Sequence, residues 1–246
     1  MSLLVGASGF SFASWRPGFY PPGTRNDDFL RFYAGVLSTV EINSSFYRPH
    51  APATYARWAA SVPPEFRFSV KVPRAITHDQ RLVATDVLLD VFLSEAMALG
   101  DKLGCLLVQL PPSLAYDAAT AESFFNDLRT QYQGTVALEA RHASWFTSDV
   151  ETRLRAHRVA RVAADPAPVP AAAEPAGWPE VVYVRLHGSP RVYYSAYDEQ
   201  YLDMLGKRVR DAATRAHDVW CIFDNTAFGA AVPNALGLMA RLSSDS

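Results

Sequence analysis

Charged and amide side chains recur in this sequence at the ends of short apolar runs, where an unpaired charge is expensive to bury. Val40-Glu41-Ile42-Asn43-Ser44-Ser45 sets Glu41, Asn43 and Ser45 on one face of an extended segment, and Ser69-Val70-Lys71-Val72 sets a lysine between two valines. Gln109 precedes Leu110-Pro111-Pro112. Glu139-Ala140-Arg141-His142 closes a fifth run, Asp165 a sixth, Arg185-Leu186-His187-Gly188 a seventh and Asp224-Asn225 an eighth. A convergence of carboxylates, cations and amides at one end of successive strands suits acid–base work on a bound ligand. Its structural counterpart is an internal ionic network, with pairs such as Glu41–Lys71 and Glu139–Arg185.

Glu41 and Glu139 are the candidate base and acid, and His187 is the alternative proton carrier. A glycosidase would use two such carboxylates, but cations beside both would keep them ionised, which suits an acid poorly. Lys71 reads in two ways: as a charge paired with Glu41, or as a desolvated amine able to act as a base or Schiff-base nucleophile. Arg74, Arg141 and Arg185, with Lys71, could clamp a phosphate or carboxylate through charge-assisted bonds. Gly6, Ser8 and Gly9 could add backbone donors, or simply form a tight turn. His142, His187, Glu139, Asp165 and Asp224 form a set that could hold Zn²⁺ or Mn²⁺. No local ligand motif links them and the arginines compete for the carboxylates, so neither a metal nor an organic cofactor is expected. Loop aromatics (Phe10, Phe12, Trp15, Phe19, Tyr20, Phe46, Tyr47, Tyr193, Tyr194, Tyr197) either line a cleft mouth, with Tyr194 a candidate ligand contact, or pack the loops over the sheet.

The elements that must position these groups alternate. Strand-like runs at Leu3–Ala7, Thr39–Asn43, Arg67–Val72, Gly104–Leu110, Val136–Ala140, Ala160–Ala164, Val181–Leu186 and Val219–Phe223 are short and almost continuously apolar, as in a parallel sheet covered on both faces. Helical spacing fills the gaps: Asp27–Leu37 behind an Asn26 cap, Pro52–Ser61, Asp86–Leu99, Ala118–Tyr132, Ser148–His157 behind Thr147, Tyr197–His217 and Thr226–Leu242. Eight strand–helix units in 246 residues predict an α/β protein with one domain over 1–246, a (β/α)8 barrel of TIM type. The stretch PAPVPAAAEPAGWP after Asp165 has too many prolines for a helix, so helix six is expected to be reduced to a loop.

Composition excludes several classes. A net charge of −2 argues against a dedicated nucleic-acid or membrane-surface protein, although all but three of the 23 basic residues are arginine. No apolar stretch approaches a membrane span, and the opening residues MSLLVGASGF lack the basic start of a signal peptide. With Cys105 and Cys221 each isolated in an apolar run, a cytoplasmic protein with two buried thiols is expected.

These strings together resemble the YecE-like family, domain of unknown function 72: GASGFSFASW with FYP (6–15, 19–21), TVEINSSFYRP (39–49), FRFSVKVPRAITHDQRL (66–82), LVQLPPS (107–113), ALEARHASWF (137–146), YVRLHGSPRVY (183–193) and NTAFGAAVPNA (225–235). The resemblance implies a TIM barrel and brings no established reaction. It implies a polar signature at Glu41, Asn43, Lys71, His78, Gln109, Glu139, Arg141, His142, Arg185, His187 and Asn225. Where the family's last strand typically ends in paired asparagines, this chain has Asp224 before Asn225. The expected activity is acid–base chemistry, hydrolysis or an isomerase/lyase step, on a small anionic or polyhydroxylated substrate. In it Lys71, Arg141 and Arg185 hold the anion while Gln109 and Asn225 orient it. A binding protein for a nucleotide or nucleic-acid end, and a divalent-metal phosphoesterase, are the competing expectations.

Overall fold

The computed structural model describes residues 1–16 and 18–243. Ten strands form one sheet: β1 (Ser2–Ser8), β2 (Thr39–Ile42), β3 (Arg67–Lys71), β4 (Leu103–Gln109), β5 (Val136–Glu139), β6 (Val159–Arg161), β7 (Ala163–Asp165), β8 (Ala176–Gly177), β9 (Val181–Leu186) and β10 (Asp218–Phe223). Their order is β7-β9-β10-β1-β2-β3-β4-β5-β6-β8, parallel throughout except for the β6–β8 pair. The sequence's sixth run is thus two strands. β6 registers on β5 and β7 on β9, and only Val162, whose N–H donates to Leu138 O at 2.9 Å, lies between them. The two ends of the ribbon therefore meet through one residue of chain, and the sheet is a nearly closed barrel.

Strand alternation sorts the side chains into two sets. Val5, Ala7, Val40, Ile42, Phe68, Val70, Leu106, Val108 and Leu138 join the large core shared with the helices. The residues between them form a second, smaller cluster that includes Leu4, Cys105, Leu107, Ala137, Tyr183, Trp220 and Ile222. The same alternation carried towards the carboxyl ends of the strands yields Ser8, Glu41, Ser69, Lys71, Gln109, Glu139, Arg185 and Asp224, all buried. A polar layer thus lies over an apolar one. Tyr183 joins them: its ring stacks on Trp220 (centroids 5.8 Å apart, 11° between planes) while its hydroxyl reaches up to Glu41.

The helices are α1 (Phe29–Ala34), α2 (Pro52–Ala60), α3 (Asp86–Ala96), α4 (Ala118–Gln131), α5 (Ser148–Ala156), α6 (Glu199–Ala213) and α7 (Ala231–Ser243). Side-chain caps set three starts: Asp117 accepts from Thr120 N–H, Thr147 from Val150 N–H and Asp198 from Tyr201 N–H. Three expectations need correction. Asn26 caps nothing: its Oδ1 accepts from Arg16 Nη2 at 2.6 Å, and a 3₁₀ turn (Asn26–Asp28) leads into α1. The last helix starts later than Thr226, because a turn closed by Gly229 N–H to Thr226 O comes first. Gly6 and Gly9 form no anion cradle. A Cβ on Gly6 would lie 1.9 Å from Thr39 O, so this glycine lets β1 approach β2, and Gly9 (φ +96°) donates its N–H to Glu41 O at 2.8 Å.

The proline-rich stretch holds a 3₁₀ turn (Pro170–Ala173) and the two-residue β8, with no α-helix among its residues. Arg161 anchors it from β6, donating to Ala171 O at 2.8 Å and to Glu151 of α5 at 3.2 Å. The aromatics after β1 pack inward. Trp15 stacks on Tyr33 and Tyr20 on Phe29, at 6.4 and 4.2 Å, so the packing reading holds for them. No helix among the described residues is long and apolar enough to cross a membrane.

Candidate functional site

Arg185, on β9, has a fully buried side chain and spends its guanidinium on three carboxylates. Nε and Nη2 donate to Glu41 Oε2 and Oε1 at 2.9 and 2.6 Å, Nη1 to Glu139 Oε2 at 2.5 Å, and Nη2 also to Asp224 Oδ2 at 3.1 Å. The two-bond fork on Glu41 is geometry that only arginine offers. Glu41 is saturated by two further donors, Ser8 Oγ at 2.9 Å and the Tyr183 hydroxyl at 3.0 Å, and the latter also lies 2.8 Å from Ser69 Oγ.

Glu139 Oε1 gathers three more donors: Gln109 Nε2 at 3.1 Å, Arg141 Nε at 3.0 Å and His187 Nε2 at 3.1 Å. The β4–β5 register sets Gln109 directly beside Glu139. Burial alone would raise the Glu139 pKa. The charges of Arg185 and His187, with Arg141 behind them, outweigh it and hold the carboxyl well below its usual range. His187 is bracketed by carboxylates, with Nδ1 3.0 Å from Asp224 Oδ2 and Nε2 on Glu139. Burial opposes its charge, but Glu139 and the bond to Asp224 prevail and its pKa is raised. Both ring nitrogens face acceptors, as the doubly protonated imidazolium requires.

Lys71 stands apart. Its side chain is buried, yet among the described residues Nζ makes no hydrogen bond and has no carboxylate at ion-pair distance; it lies 4.2 Å from the centroid of the Phe46 ring. The expected Glu41–Lys71 pair does not form. The β2–β3 register sets Glu41 opposite Ser69, two residues before Lys71, so the lysine emerges one side-chain layer above the carboxylate. Burial and the Arg185 charge lower its pKa to about 8, against the partial opposition of Glu41, Asp224 and Glu139. The expected Glu139–Arg185 pair is present.

The remaining candidates divide. His78, in a single π-helical turn (Ala75–Asp79) after β3, packs edge-on against Phe46 with centroids 4.9 Å apart. Asn43 follows β2, and its buried Oδ1 lacks a donor among the described residues. Three residues make their contacts outside the ionic cluster. His142 Nδ1 bonds Ser144 and closes its own turn. Asn225 Nδ2 donates to Ser195 O and Asn234 Oδ1, tying the loop after β9 to α7. Tyr194 packs on Phe228 and under Arg191. The aromatic nearest His187 is Tyr193 instead, at 6.0 Å. Sequence reasoning missed Tyr183 and Ser69. Both lie two residues before a singled-out cation on the same strand, so alternation from Arg185 and Lys71 would have found them. No group of three or more His, Cys, Asp or Glu side chains placed to hold a metal ion occurs among the described residues.

These features define a mixed α/β protein whose nearly closed sheet carries an ionic cluster at the carboxyl ends of its strands. The chain belongs to the family described as "Protein of unknown function DUF72", whose pattern matches residues 4–246. Its fold is similar to that of a DUF72 family protein from Thermotoga maritima, with TM-score 0.83 and 26% identity over 98% of this chain and 99% of that one. A DUF72 family protein from Enterococcus faecalis superposes with TM-score 0.81 and 22% identity, over 98% of this chain and 95% of that one. UPF0759 protein YunF of Bacillus subtilis is 23% identical over 254 residues, 91% of this chain and 89% of YunF. UPF0759 protein YecE of Escherichia coli K12 is 29% identical over 149 residues, 58% of this chain. The match spans about half of YecE, 54% of its length.

Proposed function

We propose that this chain is a (β/α)8 barrel of TIM type, with β6 and β7 together as its sixth strand and the proline-rich stretch in place of its sixth helix. We further propose that it is an enzyme acting by acid–base chemistry on a small anionic, polyhydroxylated substrate at the carboxyl end of the barrel. One observation carries the reading. The cluster sets Lys71, Arg141, Arg185 and protonated His187 against Glu41, Glu139 and Asp224, and Lys71 is its one cation with no carboxylate partner among the described residues. A buried charge without a counter-ion favours an anion brought by the ligand.

In this reading Glu41 and Glu139 work less as base and acid than as anchors, since each is held by four or more donor contacts. Glu41 fixes Arg185, and Glu139 aims Arg141 and His187. Arg141 directs Nε and Nη2 at Glu139 and keeps a partly exposed side chain, so Nη1 remains for the anion. Lys71 and His187 are the proton-carrying groups. Gln109 lies beside them, and Asn43 Oδ1 would accept from a substrate hydroxyl. Two free, buried cysteines support a cytoplasmic setting.

The test is a thermal-shift screen of sugar phosphates and organic acids against the wild type, Lys71→Met and Arg141→Ala. A ligand at about 100 times its Kd adds about 2.7 kcal/mol to stability. The reading expects a shift with one class of anion that both variants lose. No shift with any anion, or an equal shift in all three proteins, would reject it.

A further inference from the structure

Two nitrogen groups contact the Phe46 ring, Lys71 Nζ at 4.2 Å from its centroid and the His78 imidazole edge-on at 4.9 Å between centroids. Among the described residues the lysine ammonium has no hydrogen-bond or carboxylate partner. The histidine is tethered on one side only: Thr77 Oγ1 lies 3.3 Å from Pro73 O and 2.9 Å from His78 Nδ1. A hydroxyl has one proton to give. With that proton directed to Pro73 O, Oγ1 would accept from Nδ1–H and the lone pair would lie on Nε2, the tautomer that a proton relay needs. Burial and the charges of Lys71, Arg74 and Arg141 lower its pKa, against Asp79, and so favour the neutral ring. A buried amine with no carboxylate at ion-pair distance among the described residues thus shares an aromatic platform with an imidazole whose neutral form is favoured and whose outer nitrogen, in that tautomer, can take a proton.

We infer that Lys71 is a nucleophile that condenses with the carbonyl carbon of a small anionic aldehyde or ketone, with His78 relaying the protons. The inference rests on the anion-binding reading above and names the reactive group of that ligand. His78 Nε2 takes a proton from the Lys71 ammonium, and the freed amine attacks the carbonyl carbon. The C–N bond forms as the C=O π pair moves to oxygen, which receives the proton back from His78. Transfer of a second proton from nitrogen to the hydroxyl through the same imidazole expels water and leaves a protonated imine. Overall, one ammonium and one carbonyl give one iminium and one water, and the charge is conserved. The charged groups around the amine suit it to this task. Arg185 and burial favour the neutral amine, while Glu41, Glu139 and Asp224 stabilise the iminium that follows.

The chain has three lysines, so the test carries its own reference. Lys207 is exposed, and Lys102 Nζ is held by Ala59 O and Val62 O at 2.6 and 2.5 Å. The protein is treated with limiting glyoxylate, the smallest anionic aldehyde, and a borohydride that reduces any imine to a stable amine; each lysine's labelling is then followed by peptide mass mapping. Lys71 should be labelled at least about tenfold faster than Lys207, with a rate that rises with pH to a midpoint near 8, the Lys71 value. His78→Gln should slow it at Lys71 alone. Glycolate, the same anion without a carbonyl, separates the failures. If glycolate raises the melting temperature while Lys71 reacts no faster than Lys207, the imine is overturned and the anion site stands. If neither compound shifts the melt and Lys71 stays unlabelled, both readings fall.

Discussion

Arg185 and Glu41 face each other across the barrel interior as a two-bond fork with neither side chain exposed to solvent, at 2.9 and 2.6 Å. The pair is the centre of the polar layer, because the same guanidinium also reaches Glu139 and Asp224. Lysine in place of Arg185 keeps the charge but offers a point ammonium where four directed contacts are needed. Leaving buried carboxylates short of partners typically costs about 3–5 kcal/mol. Arg185→Lys is therefore expected to lose about that much in urea denaturation, and a loss below about 1 kcal/mol would show that the fork is dispensable.

Lys71 is the opposite case, a buried charge whose removal relieves the fold. Replacing it with methionine, of similar length and apolar, removes an uncompensated ammonium. Lys71→Met is expected to stabilise the protein at pH 7 while abolishing ligand capture, as groups held in strain for function do. The pH dependence fixes the sign. The folded pKa is lowered to about 8 from 10.5. Between those values the unfolded chain binds the proton and the folded one does not, so this group makes stability rise with pH across that window. The stability difference between variant and wild type should shrink from pH 8 to pH 10, and a difference that is constant with pH would refute the assignment.

The strands were legible because parallel strands buried on both faces are almost continuously apolar, and the polar end was legible because charges in such runs stand out. Pairing was not. Whether Lys71 meets Glu41 depends on the stagger between β2 and β3, which sets Ser69 opposite Glu41 and leaves no mark in the local sequence. The break at Val162 was equally silent: the run Ala160–Ala164 reads as one strand, and only its two partners, β5 on one side and β9 on the other, divide it. The contacts of Asn225 left no mark in the sequence either. It follows Asp224 just beyond the end of β10, and its Nδ2 donates to Asn234 Oδ1 and Ser195 O.

Gly6 tests the packing beneath the site. Its missing Cβ leaves room for Thr39 O, a backbone atom that cannot swing aside, and the same strand carries Ser8 to Glu41. Gly6→Ala must push β1 and β2 apart and should destabilise by about 3 kcal/mol, the upper end of ordinary overpacking. Gly18→Ala, where a Cβ meets nothing within 4 Å, serves as the control and should change stability little. Equal melting temperatures for the two variants would contradict the close approach.

Asp224 follows β10 directly, and its consequence falls on His187. With carboxylates on both ring nitrogens the imidazolium is favoured and its pKa is raised above 6.5. A group whose folded pKa is raised contributes stability that is complete below the unfolded value and lost as pH climbs through the folded one. The wild type should therefore lose stability from about pH 6.5 upward, until His187 is neutral. Asp224→Asn removes one of the two carboxylates but keeps the shape of the side chain, so the His187 pKa should fall. Each unit of that fall corresponds to about 1.4 kcal/mol. The loss of the Arg185 contact also lowers stability, but by an amount independent of pH in this range, since arginine does not titrate there. Imidazole proton NMR separates the two effects, because the His187 resonance reports its own titration whatever the global stability. A resonance that titrates at the same pH in Asp224→Asn as in the wild type would mean that Glu139 alone sets the charge on His187, and Asp224 would then serve Arg185 only.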